Sequence, residues 1–192
     1  GMKPSVSTTW LTGLFCLTLA GCSLFSTREP EPPETQSGTY AQPDAPEQVI
    51  ANIENAIAEL NTLNYRRSLA EDLDFRPTAT AEARDAVWAN WSRSEEDQYF
   101  STLVAAAAAT DGHSLVLNDQ SLTVVDATRF QLDATYVLIV NHRRPDASTR
   151  VQGRLIWVLV QRSDGLWELA EWTDQELAGA PTWSDLKAEF LK

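Results

Sequence analysis

Residues 151–174, VQGRLIWVLVQRSDGLWELAEWTD, contain two apolar runs separated by a short polar segment. Both runs are rich in Val, Ile, Leu and Trp, which favour β-strands. Asp164 and Gly165 lie between the runs, and Asp-Gly suits a two-residue type I′ turn because both positions need a positive φ. The stretch therefore predicts a long β-hairpin whose turn sets the register of its strands.

Counting outward from that turn gives the residue pairs that face each other across the predicted hairpin. One face has the pairs Arg162–Trp167, Val160–Leu169, Val158–Glu171 and Ile156–Thr173, and the other has Gln161–Glu168, Leu159–Ala170, Trp157–Trp172 and Leu155–Asp174. Both faces are apolar in the middle, which a strand open to water on one side would not need. We therefore expect both faces to be covered, one by helices and the other by a pocket, a curled sheet or a partner subunit.

The first half of the chain has helical periodicity. Apolar residues recur every three or four positions between Pro46 and Leu63, which predicts an amphipathic helix. Residues 68–71, Ser-Leu-Ala-Glu, have the capping-box pattern and predict a short second helix, followed by extended chain at residues 75–77. A third helical region is predicted for residues 81–109, with a new helix start near Ser92.

The second half has the character of β-strands. Strands are predicted at residues 114–126 and 128–142 and in the hairpin, with a turn at residues 143–148 and a last helical turn at residues 183–190. Helices followed by four antiparallel strands predict an α+β fold in which helices lie across one face of a strongly curved sheet.

Length and charge limit the classes of function. The chain has 192 residues, which suffices for one ordinary domain with extensions, and a formal net charge of −12. Because a nucleic-acid-binding protein needs a basic face, this composition argues against a nucleic-acid partner.

The amino-terminal residues have the pattern of a secretory signal. Gly1 precedes Met2 and is taken as a cloning remnant. An apolar run of eleven residues from Trp10 to Ala20 is too short for a bilayer span of roughly twenty residues. The run ends in Leu19-Ala20-Gly21-Cys22, which resembles the lipobox of bacterial lipoproteins.

The lipobox resemblance implies cleavage before Cys22 and acylation of this residue, which would anchor the protein in a lipid bilayer. Ser23 does not match the inner-membrane retention signal, so the expected location is the outer membrane, facing the periplasm. An ordinary secretory signal that contains a cysteine is the alternative. Since Cys16 would leave with the signal, no free thiol would remain in the mature protein.

Three segments are therefore expected. Residues 1–21 form the signal peptide, and residues 22–45 form a flexible tether rich in Pro and Glu, which cannot bury enough apolar surface to fold. Residues 46–192 form the α+β domain. A peptide-recognition role for the tether is the alternative.

The region between Tyr65 and Phe75, with Leu69 and Leu73, followed by residues 165–174, resembles the nuclear transport factor 2-like or SnoaL-like superfamily. The resemblance spans about residues 46–192 and rests on element order and short apolar patterns. It implies a cone, a cystatin-like fold in which a bent mixed sheet wraps around helices, often with a pocket and often dimeric. The superfamily includes isomerases, dehydratases, epoxide hydrolases and non-enzymatic binding domains.

Several polar residues are weak candidates for catalysis. Asp72 and Asp74 could together position a water molecule, or could simply solvate the end of a helix. Glu171 would act as a general acid or base if its face of the hairpin lined the cone, and would be a surface acid otherwise. Tyr136 and His142 share a predicted strand face and could join Glu171, although His142 is beside a turn.

His113 is also expected beside a turn. Two scattered histidines and no thiol argue against a transition-metal site, so neither a metal nor a cofactor is predicted.

Aromatic residues could line a pocket for a small apolar ligand, namely Trp88, Trp91, Tyr136, Trp157 and Trp172. The alternative is that these rings simply fill the interior of a small domain. Trp167 and Arg162 could form a cation–π contact.

Three functions remain open. The first is a membrane-anchored envelope lipoprotein whose domain binds a small ligand or another envelope protein. The second is a cofactor-independent lyase or isomerase that uses a pocket carboxylate. The third is a structural subunit of an envelope assembly, for example a homodimer through the sheet. An enzyme needs an open cavity of about 300 Å³ or more with an ionisable group of shifted pKa.

Overall fold

Five strands form one open, curved sheet in the order β1-β5-β4-β3-β2. The structure is a computed structural model that describes Gly1 and residues 38–192. The strands are β1 Leu69–Arg76, β2 Ser114–Asp126, β3 Arg129–Ile139, β4 Arg150–Gln161 and β5 Trp167–Gln175. β1 runs parallel to β5, and every other neighbouring pair is antiparallel.

Five α-helices accompany the sheet in the described residues. They are α1 Pro46–Ala58, α2 Thr62–Arg67, α3 Ala79–Arg84, α4 Arg93–Ala106 and α5 Trp183–Glu189, with a 3₁₀ helix at Ala86–Asn90. α1 packs on β2, β4 and β5, α4 on β1, and α5 on α4 and β4. None of the helices within residues 38–192 is long and apolar enough to cross a membrane. The predicted α+β fold is confirmed.

The predicted two-residue hairpin turn is wrong. The amide of Gly165 donates to the carbonyl of Arg162 at 3.0 Å, and the amide of Arg162 donates to the carbonyl of Leu166 at 2.7 Å. Gly165 takes a positive φ of 85°, but Asp164 does not, and its carboxylate accepts the amide of Leu166 instead. The loop therefore has three residues, of which only the last needs the left-handed conformation.

A bulge in β5 then corrects the register. Val158 pairs with Glu171, but Leu159 pairs with Leu169, so Ala170 is an extra residue. Beyond the bulge the predicted pairs are present, namely Leu155–Asp174, Ile156–Thr173, Trp157–Trp172 and Val158–Glu171. Nearer the loop the predicted pairs are wrong, because the observed pairs are Leu159–Leu169, Val160–Glu168 and Gln161–Trp167.

Only one face of this hairpin is fully covered. The inner face is buried and carries Leu155, Trp157, Leu159, Leu169, Trp172 and Asp174. The outer face, with Ile156, Val158, Val160 and Glu171, is half-exposed. The expectation that both faces are covered is therefore wrong for the outer face.

The short helix predicted at residues 68–71 is a strand. The hydroxyl of Ser68 donates backward to the carbonyl of Asn64 at 2.8 Å and so stabilises the end of α2. Leu69, Leu73 and Phe75 are buried in β1. Pairing with β5 therefore outweighs the local capping pattern, since that pattern supplies only about 1 kcal/mol.

The chain reverses between α1 and α2 at Leu60, which has a positive φ of 53°. Leu63, predicted to lie on the buried face of the first helix, is 59% exposed because it belongs to α2. The helix start predicted near Ser92 is present, where a capping box begins α4, and α5 begins with a second capping box.

Residues just before α1 are held against the domain. The amide of Thr39 donates to the carboxylate of Glu59, and Asn52 exchanges two hydrogen bonds with the backbone of Ala41. The carbonyl of Pro43 accepts the amide of Trp167 at 2.9 Å. The predicted signal peptide, the lipobox and Cys22 lie outside the described residues.

Candidate functional site

A fully buried ion pair lies in the interior of the part of the chain that the structure describes. The Thr182–Asp185 capping box starts α5, and Lys187 then projects from this helix toward α4. Lys187 Nζ lies 2.8 Å from Glu96 Oε2, and both side chains are 0% exposed. A buried ion pair requires close contact and further hydrogen bonds to offset the loss of hydration.

Aromatic faces supply part of that compensation. Lys187 Nζ lies 3.5 Å from the ring centroids of both Phe75 and Trp172. The ring centroids of Trp91, Tyr99 and Trp183 lie 5.9, 5.7 and 5.8 Å from Nζ. Burial lowers the pKa of Lys187 to about 8, and the Glu96 carboxylate opposes this shift.

Glu96 also binds two neutral donors. The hydroxyl of Tyr65 donates to Oε1 at 2.7 Å, and the indole of Trp91 donates to Oε2 at 2.9 Å. Burial, together with the Glu96 charge, raises the pKa of Tyr65. Sequence reasoning missed both Lys187 and Glu96. Lys187 could have been found, because it lies four residues after Trp183 and shares its helix face.

A second polar cluster joins β5, β3 and α5. The hydroxyl of Tyr136 donates to Asp174 Oδ1 at 2.7 Å and accepts the amide of Trp183 at 2.8 Å. The hydroxyl and amide of Ser184 both donate to Asp174 Oδ2. Burial raises the pKa of Asp174, although these donors oppose the shift, and burial and the Asp174 charge raise that of Tyr136.

The five predicted pocket-lining residues come close together, but their rings pack on one another. Ring centroids are 4.7 Å apart for Trp88 and Trp91 and 5.4 Å apart for Trp157 and Trp172. α5 adds Trp183, whose ring lies 4.5 Å from that of Trp172. The rings therefore fill the space between helices and sheet, and the four surface depressions described below and on β1 are lined by other residues.

Two of the weak catalytic candidates meet on the outer side of the sheet. Asp74 and Glu171 are direct partners across β1 and β5. Arg76 Nη2 lies 2.9 Å from Asp74 and 3.8 Å from Glu171, and all three side chains are at least partly exposed. Their arrangement is that of a solvated charge cluster.

This charge cluster borders a depression of about 540 Å³, which we call the outer depression. Its lining residues are Asp72, Asp74, Thr128, Arg129, Val160, Gln161, Glu168, Ala170 and Glu171. Burial raises the pKa of Glu168, while the Arg162 guanidinium opposes the shift. Glu168 was not among the sequence-based candidates.

The grouping of Tyr136, Glu171 and His142 does not form. β3 ends at Ile139, so His142 lies beyond the strand, where its ring packs on Phe190 and its Nε2 lies 2.9 Å from the carbonyl oxygen of Ser148. Tyr136 is bonded to Asp174 inside the fold, whereas Glu171 lies outside.

His113 binds backbone atoms of Ala108 and Asn141. The described residues contain no group of three or more side chains that could hold a metal ion.

A further pair of depressions lies on the helical side, between α2 and α4. One, which we call the α2–α4 pocket, has a volume of about 200 Å³ and is lined by Thr62, Leu63, Tyr65, Arg66, Asp97, Phe100 and Ser101. The other, of about 300 Å³, shares Arg66 and Asp97 with it. The shared residues make the two depressions neighbours.

Several solved structures share this fold. A protein from Novosphingobium aromaticivorans with a provisional assignment as an aromatic ring hydroxylase has a TM-score of 0.53 at 12% identity, over 73% of this chain and 92% of that one. A provisionally assigned scytalone dehydratase from the same organism has a TM-score of 0.52 at 13% identity, over 71% of this chain and 89% of that one. An NTF2-like protein from Cytophaga hutchinsonii has a TM-score of 0.52 at 12% identity, over 67% of this chain and 93% of that one.

No family model matches the sequence, and no curated protein matches it either. The similarity to the solved structures shows the fold alone, which is of the nuclear transport factor 2-like type. At such low identity it carries no information about the reaction or the ligand.

Proposed function

We propose that this chain is a lipid-anchored protein of the bacterial cell envelope, and that its domain acts by binding another envelope protein at its surface. The observation that supports binding over catalysis is the closed interior. α5 fills the space between helices and sheet, and Lys187, Glu96 and Asp174 are all bonded to groups of the chain itself. A substrate would find neither space nor a free acid or base there.

The lipid anchor is supported by sequence alone. Acylation of Cys22 is tested by labelling cells with an alkyne-tagged fatty acid and separating inner from outer membranes. We expect label and outer-membrane location for the unaltered chain, and neither for Cys22→Ala. Cys16→Ala is the matched control, because it alters the other cysteine of the chain and should keep both properties. Label that persists in Cys22→Ala would refute the anchor.

Binding is tested by photo-crosslinking in living cells. A photoreactive amino acid is placed at exposed positions around the domain, with the buried Trp157 position as a background control. We expect one defined crosslinked product from a contiguous group of positions. The Glu168→Gln variant, which separates binding from catalysis in the second candidate function below, should give the same product. Absence of any defined product from every face would contradict a protein partner.

A cofactor-independent lyase or isomerase is the second candidate, and the outer depression favours it. This depression exceeds the size that an enzyme site needs, and it contains Glu168, whose pKa is raised as a general acid or base requires. If catalysis occurs there, Glu168→Gln should abolish complementation of a deletion strain while the crosslinks and the unfolding midpoint stay unchanged.

A further inference from the structure

We propose that the α2–α4 pocket is the anchor point for the partner, and that it receives a tyrosine or tryptophan side chain of that partner. This inference rests on the proposed binding function and specifies the surface that would carry it. It arises from a pocket lined by two aromatic rings and by Asp97, whose carboxylate has one oxygen that lacks a hydrogen-bond donor.

The pocket has an aromatic floor and one exposed apolar residue, Leu63, at its rim. The rings of Tyr65 and Phe100 are stacked with their centroids 3.9 Å apart, and both are almost fully buried. Leu63 borders the pocket and is 59% exposed, the second highest value among the large apolar residues that stand out at the surface. An aromatic ring entering the pocket would cover Leu63 and remove apolar surface from water.

Asp97 supplies the polar requirement. Its Oδ2 lies 3.0 Å from Arg66 Nε, but its Oδ1 is buried and has no hydrogen-bond partner. Burial also raises the pKa of Asp97, which indicates that the carboxyl is incompletely compensated. Because this oxygen is already removed from water, a donor that reaches it forms a hydrogen bond for which only the donor, and not the oxygen, loses hydration.

The surrounding charges favour a neutral donor. Arg66 and Arg93 both lie within 4 Å of Asp97 Oδ2, so two guanidinium groups already place positive charge beside this carboxylate. An incoming ammonium would be repelled by both arginines, whereas a phenol or an indole carries a donor without charge. Arg66 is itself 59% exposed, so its side chain can move to admit the ring.

The size of the pocket suggests part of a protein, not a free metabolite. Its volume of about 200 Å³ is below the roughly 300–1,000 Å³ of small-molecule sites, and is suited to one side chain. The neighbouring depression of about 300 Å³ could accept the partner residues that flank the inserted aromatic residue. The predicted tether does not supply the ring, since residues 22–38 contain no Tyr or Trp and the ring of Tyr40 already packs against the Arg67 guanidinium. Buried aromatic anchors of this kind carry much of the energy of many interfaces.

The chemistry is tested with small probes and amide NMR spectra of residues 38–192 within the full mature chain. Indole and indene have nearly the same shape, but only indole has an N–H donor. We expect indole to shift the amide signals of Leu63, Asp97 and Ser101 with a Kd on the order of 1 mM. Indene should bind about tenfold more weakly, because it leaves Asp97 Oδ1 unpaired.

Two pairs of variants make the result specific. Ser101→Trp should fill the pocket and abolish the shifts, while Gln98→Trp, at an exposed position of the same helix outside the pocket, should not. Asp97→Asn keeps an oxygen acceptor and should keep the preference for indole. Asp97→Leu should make indole and indene bind equally. Unfolding midpoints of all four variants show whether the fold is retained.

Equal binding of indole and indene to the unaltered protein, or shifts confined to other surfaces, would overturn the inference. Failure of the broader proposal would look different. If indole binds as described but no position around the domain crosslinks in cells, then the pocket does bind an aromatic donor, but the proposal of a partner protein is wrong. If Leu63 crosslinks a partner and Ser101→Trp has no effect on that product, the partner is real and this anchor is wrong.

Discussion

Lys187 on α5 and Glu96 on α4 form an ion pair of 2.8 Å from which water is excluded, with the lysine between the rings of Phe75 and Trp172. The pair connects the carboxy-terminal helix to α4, and the rings connect it to β1 and β5. A single side chain therefore joins four elements. The space that a ligand would occupy in an open cone is filled by the chain itself.

Removal of one partner of this pair should be costly. Lys187→Met removes the N–H donor to Glu96 Oε2, which a deprotonated lysine would keep, and leaves the buried carboxylate without a group from α5, so we expect the free energy of unfolding to fall by about 3–5 kcal/mol. In the double variant Lys187→Met with Glu96→Gln we expect most of that loss to be recovered, because the amide oxygen can accept the indole N–H of Trp91 while the amide NH2 donates to the hydroxyl oxygen of Tyr65. Urea unfolding of both variants measures this difference.

Lys192→Met is the matched control, since Lys192 forms a more exposed ion pair with Asp85. We expect Lys192→Met to lower the free energy of unfolding by less than about 1 kcal/mol. Equal losses from Lys187→Met and the double variant would show that packing of the lysine stem, and not the unpaired charge, dominates.

The same lysine should make stability depend on pH in alkaline solution. Burial lowers the pKa of Lys187 from its ordinary value of 10.5 to about 8 in the folded state, and Glu96 opposes this shift. Between about pH 8 and pH 10 the unfolded chain therefore binds more protons than the folded one. The Lys187 contribution to the free energy of unfolding should rise through this window, by up to about 1.4 kcal/mol per pH unit, and should be constant below it.

The measurement is urea unfolding at intervals from pH 7 to about pH 9.5, before unfolded tyrosines ionise extensively. The difference between the unaltered chain and Lys187→Met isolates the lysine. If the two stability curves run parallel across the window, Lys187 does not lose its proton there.

The sequence predicts the residue pairs of the hairpin correctly where apolar residues are dense in both strands. It predicts them wrongly where one extra residue shifts the pairing register. The Trp157–Trp172 pair is predicted because both strands are apolar around it. The loop and the Ala170 bulge each displace the register by one residue in opposite directions, so the distant pairs survive two local errors. No sequence pattern marks Ala170 as the bulge.

The remaining errors have a common physical cause. Ser68 has the local pattern of a helix cap, but the tertiary pairing of β1 with β5 decides its structure. Likewise Glu96 and Lys187 are typical surface residues by type. Their burial depends on contacts between residues far apart in the chain, and such contacts cannot be read from local periodicity.

Loss of the Tyr136 hydroxyl should weaken the junction of β3, β5 and α5. Tyr136→Phe leaves the amide of Trp183 without its acceptor and removes one donor from Asp174. We expect a loss of about 1–3 kcal/mol in the free energy of unfolding. Hydrogen exchange should be faster at the Trp183 amide, while exchange in α1 should change only with global stability. Unchanged exchange at Trp183 would mean that α5 does not depend on this hydroxyl.

Gly153 provides the sharpest steric test of the closed interior. It faces Tyr136 across β3 and β4, and a Cβ at this position would lie 2.6 Å from the carbonyl oxygen of Gln175 and 2.8 Å from the Tyr136 hydroxyl. The first of these is backbone and cannot rotate away, so Gly153→Ala should displace β5 or the tyrosine, at a cost of about 1–3 kcal/mol. Gly112→Ala is the matched control, because no atom lies within 4 Å of its added methyl group. Thermal unfolding of both variants should show a lowered midpoint for Gly153→Ala alone, and an unchanged midpoint would mean that β4 and β5 have room to separate, so the interior would be less tightly closed than the Tyr136–Asp174 contact requires.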